Sequence, residues 1–131
     1  MPSRSHRRPG FTLIELLIVV VIIGILASIA IPRFQYSKGK AYLASMKSDL
    51  RNLASAEESY YYEHQTYSSD TLVLDFRHST GVVLDIQSAS GSSWGAMATH
   101  PAAYPMRCAL FMGNTPVAPA TTEGQVSCDG F

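Results

Sequence analysis

The amino-acid sequence predicts an α+β fold in which a long, protruding N-terminal helix packs on a small antiparallel β-sheet. Three observations predict it: an apolar run over residues 11–31, an amphipathic pattern that continues to about His64, and short β-forming runs between Ser-, Gly- and Pro-rich stretches thereafter. Because the chain has 131 residues, it has room for a helix and one small domain, so we expect no deep cleft between two domains.

The apolar run contains three clearly polar side chains, Thr12, Glu15 and Ser28. A helix of this length spans the roughly 30 Å hydrocarbon core of a bilayer, which predicts a membrane helix. Three arginines within the first ten residues predict that the N-terminus stays in the cytoplasm and the rest of the chain crosses. Two alternatives remain open, a secretory signal with a weak cleavage site at residues 27–30 and a permanent anchor.

The second half of the helix, residues 33–64, shows apolar side chains at alternating steps of three and four residues, with an interruption at Glu57. The apolar positions are Leu43, Met46, Leu50, Leu53 and Tyr60. We expect the charged side chains of the other face, among them Lys38, Lys40, Lys47, Asp49, Arg51, Glu58 and Glu63, to be solvated or salt-bridged. Gly24 and Pro32 are the expected weak points of the whole helix.

Strands are expected near residues 82–87, 94–99, 107–112 and 125–128, with turns at 88–93 and a Pro-containing loop at 113–124. The short connections favour an antiparallel sheet. Alternation along the strands predicts which side chains cover the helix: Leu84, Ile86, Trp94, Ala96, Leu110 and Met112.

The two cysteines, Cys108 and Cys128, have neither the paired spacing of a zinc ribbon nor that of a C-x-x-C redox motif. We expect a structural disulfide, which would close a loop of about 21 residues and contribute roughly 3 kcal/mol in the chain-entropy model. Two buried free thiols are the alternative.

Glu15 is the residue that an ordinary membrane anchor does not explain, because an ionised carboxylate is costly in a bilayer and usually has a partner there. If the chain is cut between Gly10 and Phe11, the new amino terminus lies about one helical turn from this carboxylate. The partner is then the terminus of the same chain or that of a neighbouring copy.

The segment PGFTLIELLIVVVIIGILASIAIP, residues 9–32, resembles the class III signal and N-terminal helix of type IV pilins and their pseudopilin relatives. The resemblance implies that residues 1–10 are a leader, removed after Gly10 by a prepilin peptidase, and that Phe11 becomes the N-methylated terminus. It also implies that Glu15 serves assembly and that residues 11–32 form first a transmembrane and then a filament-core helix. Residues 65–131 would form the αβ loop and the antiparallel sheet.

For function, the resemblance implies a structural subunit with no catalytic activity, metal or cofactor. The chain would pass from the bacterial inner membrane, with the help of an assembly machinery, into a helical homopolymer on the cell surface that serves adhesion, twitching motility or DNA uptake. A pseudopilin of a type II secretion system is the alternative within the family, and a membrane-anchored binding domain that never polymerises is the alternative outside it.

Several other motifs have simpler interpretations. The G-x-S-x-G pattern at residues 91–95 precedes an expected strand, whereas a nucleophile elbow needs a helix there, so a hairpin turn is expected. His64, His78 and His100 lack metal-ligand spacing. We interpret the aromatic side chains near residues 60–62 as packing residues rather than an electron path. Acidic residues interleave with the basic helix face, so contact with nucleic acid stays uncertain and pairing between subunits is favoured.

Overall fold

A computed structural model describes residues 10–130 of the chain. Residues 1–9, which hold nearly all of the expected leader, and Phe131 lie outside the described residues. The chain forms two compact units, Met1–Tyr36 (the N-terminal unit) and Ser37–Phe131 (the C-terminal unit).

The described elements are one long helix, four strands and a short 3₁₀ turn, in agreement with the predicted fold class. They are α1 (Leu13–His64), β1 (Val83–Ala89), β2 (Trp94–Thr99), the 3₁₀ turn Pro101–Ala103, β3 (Arg107–Met112) and β4 (Ser127–Asp129). The strands form an antiparallel sheet in the order β1-β2-β3-β4, so each strand pairs with the next along the chain.

In the N-terminal unit, α1 is continuous through both expected weak points, and Pro32 lies inside the helix. A methyl group added at Gly24 would have no neighbouring atom within 4 Å. The missing side chain at Gly24 therefore leaves a shallow notch on the helix surface.

In the C-terminal unit, the helix packs on one face of the sheet as the alternation predicts. Met46, Leu50 and Leu53 are completely buried against Trp94 and other side chains of the sheet. The pairing of Trp94 with Met112 and of Ala96 with Leu110 places the buried side chains of neighbouring strands side by side. The strand periodicity of two residues thus identified the core face correctly.

The opposite face of the sheet has a cover that the sequence did not predict. The loop at residues 113–124 folds back so that Val117 and Ala120 pack on Ala109 and Phe111. Gly95 permits this approach, because a Cβ atom there would lie 2.5 Å from Cγ2 of Val117 and 3.3 Å from Cβ of Phe111. The central strands β2 and β3 are therefore largely buried on both faces, whereas alternate residues of β1 stay exposed.

Replacing Gly95 with alanine is expected to destabilise the C-terminal unit by about 1–3 kcal/mol, because the added methyl group overpacks the contact with Val117. Gly91→Ala is the matched control, since nothing lies within 4 Å of the added Cβ atom and the expected change is within about 0.5 kcal/mol. Urea denaturation of the full chain in detergent micelles measures both, and equal effects would contradict this account of Gly95.

The predicted disulfide between Cys108 and Cys128 is confirmed. The two residues face each other in the pairing of β3 with β4, and Cys108 is completely buried. Because β4 has only three residues, the covalent bond fixes a strand that few ladder hydrogen bonds hold.

The segment between the helix and β1 is tied down by carboxylates of the helix. Asp49 is 2% exposed and accepts hydrogen bonds from the backbone N–H of Ser79 at 2.7 Å and from its hydroxyl at 3.0 Å. The expectation that Asp49 lies on the solvated face was wrong, because this loop needs acceptors for its backbone N–H groups and the helix supplies one.

Candidate functional site

The first turn of α1 holds the carboxylate that the sequence singled out. Thr12 is the residue directly before the helix, and its hydroxyl accepts a hydrogen bond from the backbone N–H of Glu15 at 3.3 Å. In return, Oε2 of Glu15 accepts from the backbone N–H of Thr12 at 2.9 Å and from its hydroxyl at 2.7 Å. This reciprocal pattern is a capping box, which satisfies two backbone donors that a helix start otherwise leaves unpaired.

The capping box places the negative charge of Glu15 at the helix N-terminus, where the exposed N–H groups favour an anion. The sequence had suggested the chain's own terminus or a neighbour's as the partner of Glu15, whereas Thr12 is the partner within the described residues. The side chain of Glu15 stays exposed, and its second oxygen lies outside these bonds. The turn therefore fixes the direction of the carboxylate and leaves it accessible to a second group.

The surface that follows Glu15 is apolar on every side of the helix. The large apolar side chains from Phe11 to Ile31 are exposed by between 45% at Val19 and 84% at Leu13. A helix on the surface of a globular protein carries an apolar stripe, whereas one that is apolar all round is buried by lipid or by other protein. Among the described residues, one helix, α1, is long and apolar enough to cross a membrane.

The hydroxyl of Ser28 is satisfied within this segment. The hydroxyl of Ser28 donates to the carbonyl of Ile25 at 2.7 Å, so that it enters an apolar environment with its hydrogen bond made. Ser28 lies four residues after Gly24, and such a pair of small residues permits a second helix to approach closely.

Comparison with known proteins identifies this segment. A family model described as the prokaryotic N-terminal methylation motif matches residues 5–31. The chain carries this methylation motif. The match includes Gly10, Phe11, Glu15 and Gly24, and it ends one residue before Pro32.

Relatives of both expected kinds match about half of the chain. The chain is 47% identical over 64 residues to the type IV major pilin protein PilA of Myxococcus xanthus, a match covering 49% of this chain and 29% of the relative. It is 39% identical over 65 residues to the type II secretion system core protein G of Pectobacterium carotovorum, covering 50% and 42%. A fimbrial protein of Pseudomonas aeruginosa is 42% identical over 72 residues, covering 55% and 47%.

These comparisons confirm the resemblance to type IV pilins and pseudopilins. The chain spans less than half of the length of each of the three relatives. The comparisons therefore extend to about half of this chain and to a smaller part of each relative. Cleavage after Gly10, methylation of Phe11 and the role of Glu15 in assembly stay predictions.

The remaining motifs take structural roles where the chain is described. Ser93 of the G-x-S-x-G pattern lies in the hairpin between β1 and β2, with its hydroxyl 3.0 Å from that of Ser90, and a strand follows it. The ring of His100 stacks on Tyr42, and its Nδ1 accepts a hydrogen bond from the backbone N–H of Ala102. Residues 10–130 contain no group of three His, Cys, Asp or Glu side chains suited to a metal ion.

Proposed function

We propose that the chain is the structural subunit of a type IV pilus. It is made with a leader that ends at Gly10, is cut by a prepilin peptidase and N-methylated at Phe11, and is polymerised from the bacterial inner membrane into a surface filament. The single observation that supports this best is a helix that is apolar all round but begins with an accessible, oriented carboxylate. The filament would serve adhesion, twitching motility or DNA uptake.

The apolar surface of the helix is suited both to the lipid bilayer and to the core of a filament. Each large side chain between Leu13 and Ile31 gains about 1.5–3 kcal/mol when it leaves water completely. Lipid provides that gain before assembly, and the helices of neighbouring copies provide it afterwards. Removal from the membrane therefore costs little only if another copy covers the helix at once, which couples extraction to polymerisation.

The first turn of α1 supports a role for Glu15 in setting the axial register of each new subunit in the filament. Cleavage before Phe11 would place a charged amine next to Thr12, one turn from Glu15. The capping box holds Glu15 in a fixed direction, and the exposed carboxylate would accept the amine of an adjacent subunit in a site without water. A mismatched axial register would leave the charge unpaired in apolar surroundings, which is strongly unfavourable.

Filaments sheared from the cell surface test this function. We expect their main chain to begin at Phe11, with the mass of one added methyl group on the amine, as determined by mass spectrometry of the N-terminal peptide. A chain that remains in the membrane fraction with residues 1–10 attached would overturn the proposal.

A second candidate function is that of a pseudopilin, because several of the relatives that match about half of the chain are type II secretion core proteins G. Deletion of the gene separates the two. Loss of surface filaments with normal protein secretion supports the pilin, and loss of secretion without loss of filaments supports the pseudopilin. If the chain is a membrane anchor that never polymerises, its deletion should affect neither surface filaments nor protein secretion. Chemical crosslinking of the wild-type chain in cells should then give no crosslinks between copies.

A further inference from the structure

Glu57 carries a buried carboxyl group that the proposed assembly does not use. It interrupts the apolar pattern of the helix, yet it occupies the buried stripe and its side chain is 0% exposed. Its Oε2 accepts a hydrogen bond from the backbone N–H of Ser68 at 2.9 Å. Its Oε1 is buried and has no hydrogen-bond partner among the described residues.

Burial and the neighbouring charge of Glu58 disfavour the ionised form of Glu57. Glu58 is the next residue of the helix, Tyr61 lies one turn further, and Tyr67 enters from the loop. The nearby sheet residue Trp94 does not titrate, and its ring lies 6.4 Å from that of Tyr67. Burial raises the pKa of Glu57 above its usual value, the Ser68 N–H opposes this, and the negative charge of Glu58 adds to it.

The same contacts hold the beginning of the loop, residues 67–68. The hydroxyl of Tyr67 donates to Oε1 of Glu58 at 3.1 Å, and its backbone N–H donates to the carbonyl of Ser90 at 3.0 Å. Burial, followed by the bond to Glu58, raises the pKa of Tyr67 to about 12, so the phenol keeps its proton at ordinary pH. Two adjacent carboxyl groups therefore fasten two adjacent loop residues, and only the one of Glu57 is dry.

We propose that Glu57 is a protonation-dependent latch that fastens residues 67–68 to the helix. In its neutral form it fits the dry site and accepts the hydrogen bond from Ser68. When it ionises, the buried charge and its unpartnered oxygen favour an opened loop in which water reaches the carboxylate. The latch thus makes the loop surface respond to pH, independently of whether the subunit polymerises.

The direction of the effect follows from linkage. Because the pKa of Glu57 is raised in the folded state, its contribution to stability is complete below the unfolded pKa of 4.5 and is lost as the pH rises through the folded pKa. Each unit by which the pKa is raised corresponds to about a tenfold change in the equilibrium between closed and open loop.

Hydrogen exchange of the Tyr67 and Ser68 amides tests the latch in the full chain in detergent micelles, followed by NMR and corrected for the intrinsic exchange rate. In the wild type, we expect the protection of both amides to fall as the pH rises above 4.5, by about tenfold per unit of raised pKa. Glu57→Gln should remove this dependence, because the amide cannot ionise but still accepts from Ser68. Glu63→Gln, an exposed change on the same helix, should behave as the wild type.

A Glu57→Gln chain with the same pH dependence as the wild type would overturn the proposal. If Glu57→Gln does not fold, Glu58→Gln provides a second test. This variant removes the negative charge next to Glu57, while the amide oxygen of the new glutamine still accepts the hydrogen bond from Tyr67. That variant should lose less protection between low and high pH, since the pKa of Glu57 moves back towards its usual value. An unchanged loss would also contradict the latch.

Discussion

Replacing Glu15 with alanine is expected to leave the chain processed and in the membrane but to lower the yield of sheared filaments by roughly tenfold or more. The substitution removes both the acceptor for Thr12 and the anion that an incoming amine would meet. Immunoblots of the sheared and membrane fractions measure yield and processing separately. A normal filament yield would refute the role that we propose for this carboxylate.

Variants of Thr12 distinguish the two things that Glu15 does. Thr12→Val removes the hydroxyl that bonds to Glu15, and Thr12→Ser retains it. If the carboxylate acts mainly by capping its own helix, Thr12→Val should reduce filament yield nearly as much as Glu15→Ala, and Thr12→Ser should not. If pairing with a neighbour dominates, both Thr12 variants should assemble well and only the Glu15 variant should fail.

Removing the disulfide is expected to lower the free energy of unfolding of the C-terminal unit by roughly 3 kcal/mol, because Cys108 and Cys128 lie 20 residues apart and their bond restricts the unfolded chain. The corresponding fall in Tm is roughly 12–24 °C for a domain of this size. Thermal unfolding of Cys108→Ala/Cys128→Ala, followed by circular dichroism, measures it. The wild type treated with a reductant should approach the double variant, and a Tm equal to that of the oxidised wild type would contradict the expectation.

The parts of the fold that follow a repeating pattern were predictable from the sequence. The helix and the bounds of β2 and β3 agree with their predictions, since the apolar residues recur every three to four positions in the helix and every two in the strands. β1 continues to Ala89 rather than ending near Gln87, because the pairing shifts between Ile86 and Ser88 and then resumes. β4 begins at Ser127, where pairing with Ala109 starts.

Asp49 and Glu57 were not predictable in this way, because their burial depends on a loop without regular periodicity. A charged residue in a helix usually faces water. The folded structure shows that backbone N–H groups of the loop need acceptors at the buried face of the helix, and that Asp49 and Glu57 provide them. The interruption of the apolar pattern at Glu57 was the available signal. It marks a polar residue placed within the buried stripe.

The first turn was partly predictable. The order Thr12-x-x-Glu15 before an apolar run is a known sign of a capping box, and our interpretation from charge alone overlooked it. The accessible carboxylate and the continuous apolar surface were both evident in the sequence. What covers that surface depends on other copies or on lipid, and a single chain does not specify it.

The shifted pairing in β1 also affects whether closely packed copies of the chain aggregate through their sheets. β1 is an outer strand, and an outer strand with free backbone groups can recruit strands from other molecules into a growing aggregate. The irregular pairing near Ser88 and the exposed charge of Asp85 make the edge strand β1 poorly suited to pair with a strand of another molecule. Crowded copies would then meet through their side chains, so that close packing need not lead to amyloid-like association.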